Sequence, residues 1–171
     1  ASLRLLYTYM YTHPGAKLLF MGDEFAQTSE WNHNRKLSWD LLQYPLHKGV
    51  QNLIKQLNNL YRNSPALHEL DFSTDGFLWV IANDQTNSVL SYCRRSHNPQ
   101  DDLLVILNCS PLYLKGYHIE LSRQIKWKVI FQSNQIEWGG SSKKFPSLKA
   151  LMIKNIEGAT NEYLRLDLLP Y

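Results

Sequence analysis

Cysteine is scarce. Cys93 and Cys109 are the only two in 171 residues, too few for a disulfide framework and unable to form a CxxC metal pair, which suits a reducing cytoplasm. No apolar run approaches the roughly 20 residues of a membrane span, and the opening residues do not read as a signal peptide, so no membrane partner is expected. Charge is sparse as well: 19% of residues, with 18 Lys+Arg against 15 Asp+Glu and a net charge of +3. No basic run is longer than the pairs Arg94-Arg95 and Lys143-Lys144, which argues against a nucleic-acid partner. The six histidines form no HExxH and no ligand cluster, so no zinc site is expected. A Gly-rich phosphate loop and a GxSxG nucleophile turn are also absent.

Apolar and aromatic residues are plentiful. Hydrophobic residues make up 44%, enough for a core, and ten Tyr, five Trp and six Phe suit stacking surfaces as well as interiors. The chain opens inside an apolar stretch, Leu3, Leu5, Leu6, Tyr7, Tyr9, Met10 and Tyr11, with apolar residues on nearly every face, as in a helix held within a larger body. Pro14-Gly15 stops it. Leu18-Leu19-Phe20-Met21, bounded by Gly22, reads as a short strand buried on both faces, the pattern of a parallel sheet. A polar loop containing Trp follows to about Lys48, and Val50, Leu53, Ile54, Leu57, Leu60 and Tyr61 then repeat at helical spacing up to Ser64-Pro65.

That first third is one unit of an α/β fold, and a single parallel strand must find its ladder partners elsewhere. A whole β/α barrel needs about 250 residues, so the expectation is a piece of a longer protein. The alternative is that residues 17–21 join a later antiparallel sheet. From about residue 72 short strand-like runs recur: Phe77–Ala82, Ser88–Arg94, Leu103–Asn108, Gly116–Leu121, Trp127–Phe131 and Tyr163–Leu168. Turn clusters such as Asn83–Asn87 and Gly139–Ser142 separate them. The expected fold is therefore α/β plus all-β, with a boundary near residues 63–75 and an antiparallel sandwich beyond it.

The most pointed chemistry lies in Gly22-Asp23-Glu24-Phe25-Ala26-Gln27, just past the expected strand. Carboxylates beyond the C-terminal end of a parallel strand sit where such folds place their ligands, and paired carboxylates suit glycoside chemistry. Adjacent Asp and Glu on a turn equally serve as helix caps or partners for backbone amides. Glu30-Trp31-Asn32-His33-Asn34 and Leu37-Ser38-Trp39-Asp40 add aromatics and amides to the same loop. A Trp face can stack on a sugar ring while Asn, Asp and Glu bind its hydroxyls. Trp39, followed by Leu41 and Leu42, reads as a loop anchor. Trp31, among polar neighbours, suits either role.

The string from His13 through Gly22-Asp23-Glu24-Phe25-Ala26-Gln27, followed by Glu30-Trp31-Asn32, closely resembles the segment over the eighth barrel strand of bacterial 1,4-alpha-glucan (glycogen) branching enzymes, members of the alpha-amylase family. The likeness continues through Leu37-Ser38-Trp39, Gly49-Val50-Gln51, Ala66–Asp71 and Gly76–Trp79, then Asn108–Pro111. It implies that residues 1–71 are the last β/α unit of a (β/α)8 barrel and residues 72–171 the family's C-terminal β-sandwich. It implies too that the catalytic nucleophile, the general acid and the third carboxylate lie upstream of Ala1, so that this chain contains none of them. Asp23, Glu24 and Trp31 would be substrate-binding residues. The implied reaction cleaves an α-1,4-glucan and transfers the segment to a 6-hydroxyl, with no metal or organic cofactor. The implied partners are the α-1,4-glucan and the remainder of the barrel. A non-catalytic glucan-binding module and another amylase-family hydrolase are the competing readings, and Glu30-Trp31-Asn32 argues against the second. Three departures stand out. Relatives continue past the final Leu-Pro with one more apolar strand, whereas this sequence stops at Pro170-Tyr171, so the last strand of the sandwich is expected to be truncated. Many relatives have Asn where this chain has Asp23, and an aromatic where it has Cys109.

Overall fold

The computed structural model describes residues 1–121, 127–146, 148–154 and 160–170. Helix α1 runs from Ser2 to Thr12 and buries Arg4, Tyr7, Thr8, Tyr11 and Thr12, a stripe at three- and four-residue spacing. It ends at His13, whose backbone is extended, as the residue before a proline prefers. Helix α2, Pro45–Asn63, starts with Pro at its first position and buries Gly49, Val50, Leu53, Ile54 and Leu57. Proline fits there because the first N–H of a helix has no partner to lose. The two helices meet through Tyr7 and Tyr11 against Val50, Leu53, Ile54 and Leu57, and Leu19, Phe131 and Trp138 pack on that cluster. At Gly49 a Cβ would lie 2.9 Å from the Trp138 carbonyl carbon, so only glycine lets the turn at Ile136–Trp138 sit on α2.

Six strands form two antiparallel sheets. In the first, β1 (Phe77–Asp84), β2 (Val89–Arg94) and β3 (Leu103–Asn108) lie in the order β1-β2-β3. In the second, β4 (Leu114–Leu121), β5 (Leu148–Lys154) and β6 (Thr160–Leu168) lie in the order β4-β6-β5. In the first sheet β2 and β3 are covered on both faces. Tyr92, Val105, Leu107 and Leu90 pack against Leu5 and Tyr9 of α1. On the opposite face Val89, Leu104 and Ile106 join Ile119, Leu164, Leu166 and Leu168 of the second sheet. Double coverage explains why β3 reads as an unbroken apolar run, where a half-exposed strand would alternate. The Tyr117 hydroxyl donates to Asp84 Oδ2 at 2.6 Å, tying β4 to the end of β1.

Three sequence expectations change. Residues 16–20 carry no ladder and belong to neither sheet, and Leu18 and Phe20 are exposed, so neither the expected strand buried on both faces nor the alternative of a strand shared with the antiparallel sheets is formed in this chain, where a single extended segment has no parallel partner. Residues 127–131 are not a strand. Phe131 instead stacks on Trp138 at 5.7 Å, and Arg4 holds the loop through the Ser133 and Gly139 carbonyls, both at 2.9 Å. Strand β5 was not read from the sequence. Its Leu-Lys-Ala-Leu-Met-Ile run favours helix by propensity, and pairing with β6 over seven residues overrides that preference.

Helices and sheet are joined by a fully buried ion pair. Arg94 Nη2 meets Asp71 Oδ1 at 2.6 Å, and Nη1 donates to the Thr12 carbonyl at 2.7 Å. The other oxygen, Asp71 Oδ2, accepts from Gly15 N at 3.1 Å. Removing one partner strands a buried charge. Asp71→Ala is expected to lower unfolding free energy by about 3–5 kcal/mol, and Asp71→Ala with Arg94→Met by clearly less, as read by denaturant titration. A double variant no better than Asp71→Ala would mean that the bonds from Arg94 to backbone matter more than the pair.

Candidate functional site

The loop between the helices is built on a tight turn. Leu19 is tucked into the helical cluster, while Leu18 (76% exposed) and Phe20 (48%) face the opposite way. Met21 and Gly22 then take φ of 34° and 100°, reversing the chain. A side chain at Gly22 would be strained by that φ and would also lie 2.8 Å from the Gln27 Cβ. The Gly22 carbonyl accepts from the N–H of Phe25 at 3.2 Å and of Gln27 at 3.0 Å. A single 3-10 turn, Asp23–Phe25, follows.

Both carboxylates of the turn serve it directly. Asp23 Oδ2 accepts from Phe20 N at 3.0 Å, and Glu24 Oε2 from Gly22 N at 3.1 Å. Among the described residues nothing donates to the second oxygen of either. Those two oxygens remain as acceptors for hydroxyl groups, oriented by the turn. The turn hangs from both helices. The Tyr7 hydroxyl donates to the Asp23 carbonyl at 2.7 Å, and His47 Nδ1 lies 2.9 Å from the Phe25 carbonyl. Phe25 itself is fully buried.

Beyond the turn, Gln27 Oε1 accepts from Ser38 N at 2.9 Å and closes the loop base. Trp39 lies 5.0 Å from the Phe25 ring, a contact of the anchoring kind, yet it is 51% exposed, so exposure does not separate it from Trp31. Trp31 is 53% exposed and meets Phe20 edge-on at 5.3 Å, with the His33 ring 6.1 Å away. Asp23, Glu24 and Trp31 thus belong to one loop system, in which Phe20 ties Trp31 to the carboxylate turn. Phe20 and Tyr7 were not singled out from sequence. The alternation of Leu18 and Phe20 against Leu19 was the available signal for the first, and the Tyr7–Tyr11 spacing marked the buried stripe of α1 that contains the second. Among the described residues no three His, Cys, Asp or Glu side chains converge to hold a metal, and no helix is long and apolar enough to cross a membrane.

Residues 79–164 match the model of the alpha amylase C-terminal all-beta domain. The chain belongs to the alpha-amylase family. It is also 45% identical over 143 residues to the 1,4-alpha-glucan branching enzyme GlgB of Oceanobacillus iheyensis, covering 84% of this chain and 22% of that protein. The enzyme of the same name from Cellvibrio japonicus is 49% identical over 142 residues, 83% of this chain and 19% of that protein. That of Prochlorococcus marinus is 43% identical over 161 residues, 94% of this chain and 21% of that protein. The chain spans about a fifth of the length of these curated relatives.

Burial, then the charges of Asp23 and Glu24, push the Tyr7 hydroxyl up to about 12 from its usual 10. The protonated form is therefore favoured by folding. Its contribution is complete below pH 10 and declines as pH rises from 10 towards 12. Tyr7→Phe is expected to flatten part of the alkaline fall in stability over that window, measured by urea unfolding at a series of pH values. An unchanged profile would assign the alkaline loss to other groups, such as Tyr92 and Tyr117, whose hydroxyls are also raised by burial.

Proposed function

We infer that this chain is the C-terminal part of a 1,4-alpha-glucan branching enzyme. Residues 1–71 would close its (β/α)8 barrel and residues 72–171 form its β-sandwich. The observation that carries this reading is the 43% identity to such an enzyme over 94% of the chain. Two structural features support the barrel assignment. Leu18 and Phe20 turn away from the helices that cover Leu19, as on a strand with helices on one side and a barrel interior on the other. An open groove of about 620 Å³, lined by Leu3, Leu6, Met10 and Leu18 among others, runs beside them.

In this reading the parent enzyme cleaves an α-1,4-glucan by retaining double displacement and passes the segment to a 6-hydroxyl, forming an α-1,6 branch. Retaining transfer needs a nucleophile and a separate acid/base about 5–5.5 Å apart across the scissile bond. Asp23 and Glu24, adjacent on one turn and each spent on a backbone N–H, do not meet that need. Their role is to bind hydroxyls, and that of Trp31 is to stack on a glucose ring. The chemistry calls for no metal and no organic cofactor. Cytoplasmic glucan synthesis suits the cysteine usage.

Two measurements test this. The 171-residue chain incubated with amylose is expected to yield neither new reducing ends nor α-1,6 linkages. Enzyme-like turnover would overturn the assignment of catalysis to upstream residues. In the full-length enzyme, Trp31→Ala is expected to weaken glucan binding or transfer by about 1 kcal/mol, roughly fivefold to tenfold. Unchanged kinetics in a folded variant would reduce Trp31 to a loop residue. Glucan binding by the isolated chain without turnover would show that the loop or the sandwich grips sugar unaided.

A further inference from the structure

Residues 28–38 cross from the carboxylate turn to Trp39 with no helix or strand of their own, and every residue from 28 to 36 is exposed. A flexible segment of about ten residues has an r.m.s. end-to-end distance of roughly 17 Å, far more than the width of a sugar ring. Trp31 sits within it. The internal bonds of the loop are local: Asn32 Oδ1 accepts from Asn34 N at 2.9 Å, and the Asn32 carbonyl from Arg35 N at 3.0 Å. Such bonds shape the tip without fixing its place beside the turn. That place is set at the base.

Gln27 spans the base. Its Oε1 accepts from Ser38 N at 2.9 Å, and its Nε2 donates to the Ser29 carbonyl at 3.3 Å. One amide thus holds the entry and the exit of the loop together, with an acceptor and a donor that Glu, of the same length, does not supply together when ionised. The partners decide which amide atom is which, because a backbone N–H meets the oxygen and a carbonyl meets the nitrogen. Gln27 is itself fixed to the turn. Its N–H donates to the Gly22 carbonyl at 3.0 Å. Its side chain passes so close to Gly22 that a Cβ there would lie 2.8 Å from the Gln27 Cβ and 3.2 Å from its Cδ. The same Gly22 gives its N–H to Glu24 Oε2. The frame that orients the free carboxylate oxygens and the frame that closes the Trp31 loop therefore share one stretch of backbone.

We propose that Gln27 is a positioning residue for glucan binding: its amide clasps the loop so that the Trp31 ring and the acceptor oxygens of Asp23 and Glu24 meet the same sugar chain. The proposal rests on the glucan-binding reading of Trp31 given above. Both polar atoms of the Gln27 side chain are occupied within the loop, so it acts through Trp31 and not on the sugar. The edge-on contact of Phe20 with Trp31 is one ring contact and leaves both ends of the loop untied. With the clasp closed, the loop is ordered before the glucan arrives. With the clasp open, binding has to supply that order. The cost falls equally on bound substrate and transition state, so loss of the clasp raises KM and spares kcat.

The test is a double-mutant cycle in the full-length enzyme, with KM and kcat measured for branching of amylose and folding checked by thermal melting. Gln27→Met keeps the length of the side chain and removes both bonds. It is expected to raise KM about fivefold with kcat within about twofold, and to add nothing further to Trp31→Ala. Gln27→Glu keeps the acceptor for Ser38 N and loses the donor to Ser29. It is expected to fall between the parent and Gln27→Met, and it carries the same comparison if Gln27→Met does not fold. An equal effect of the Gln27 substitution with and without Trp31 would overturn the proposal. So would a fall in kcat at constant KM, or an unchanged KM in the folded variant beside an impaired Trp31→Ala. If Trp31→Ala is itself unimpaired, the sugar-stacking reading falls and the role of Gln27 falls with it.

Discussion

The fold depends on how one guanidinium is shared. Arg94 ends β2 fully buried, and its two terminal nitrogens reach Asp71 and the last carbonyl of α1. Asp71 passes its second oxygen to Gly15. Three segments distant in sequence therefore meet at one charge pair: the end of α1, the segment after α2 and the end of a strand. Apolar contact between α1 and the first sheet, through Leu5, Tyr9, Tyr92 and Leu107, supplies attraction but little direction. The planar fork of arginine supplies direction, and the Thr12 and Tyr92 hydroxyls, 2.6 Å apart, add a second fixed point on the same interface.

Once α1 is fixed there, the loop that contains the candidate site is fixed too. Tyr7 lies on the same buried stripe as Thr8 and Tyr11, and its hydroxyl holds the backbone of Asp23. His47 near the start of α2 holds the next carbonyl but one, that of Phe25. The carboxylates of Asp23 and Glu24 then finish the turn by binding the N–H groups of Phe20 and Gly22. One oxygen of each carboxylate holds the turn, which is the capping role that the sequence offered, and the other accepts from no donor among the described residues, so that capping does not exclude the proposed binding role.

Much of this was legible and the remainder has identifiable causes. Helix α2 declared itself through six apolar positions at helical spacing, of which Val50, Leu53, Ile54 and Leu57 are buried, and β3 and β6 through apolar content that later proved to be buried on one or both faces. Arg94 entered the sequence reading only as half of a basic pair, because nothing in Arg94-Arg95 says which side chain points inward; the register of β2, with Arg94 opposite Phe77 and Leu103, decides it. Residues 127–131 carried strand composition but anchor a loop by stacking Phe131 on Trp138. Leu148–Lys154 carried helix composition but completes a sheet. In both cases long-range pairing outweighs local preference. Trp31 stood out among polar neighbours, whereas Phe20 looked like the interior of a strand and was passed over.

The most informative sequence feature was the least specific one, apolar residues on nearly every face of the first helix. A helix that serves one interface shows one stripe. Here Arg4, Tyr7, Thr8, Tyr11 and Thr12 are buried against the rest of the chain, yet Leu3, Leu6 and Met10 line a groove on another side. The polar members of the buried stripe are each satisfied inside it: Arg4 by Ser133, Asn134 and Gly139, Thr8 and Thr12 by carbonyls one turn back. The apolar residues are therefore not all needed for the contact that is present. Leu3 and Met10 also pack on the cluster between the two helices, so it is Leu6, 56% exposed, that the contacts among the described residues leave unexplained, together with Leu18, 76% exposed opposite Leu19. A side chain's burial on one face of an element accounts for half of its pattern, and Leu6 and Leu18 belong to the half that the described contacts do not cover.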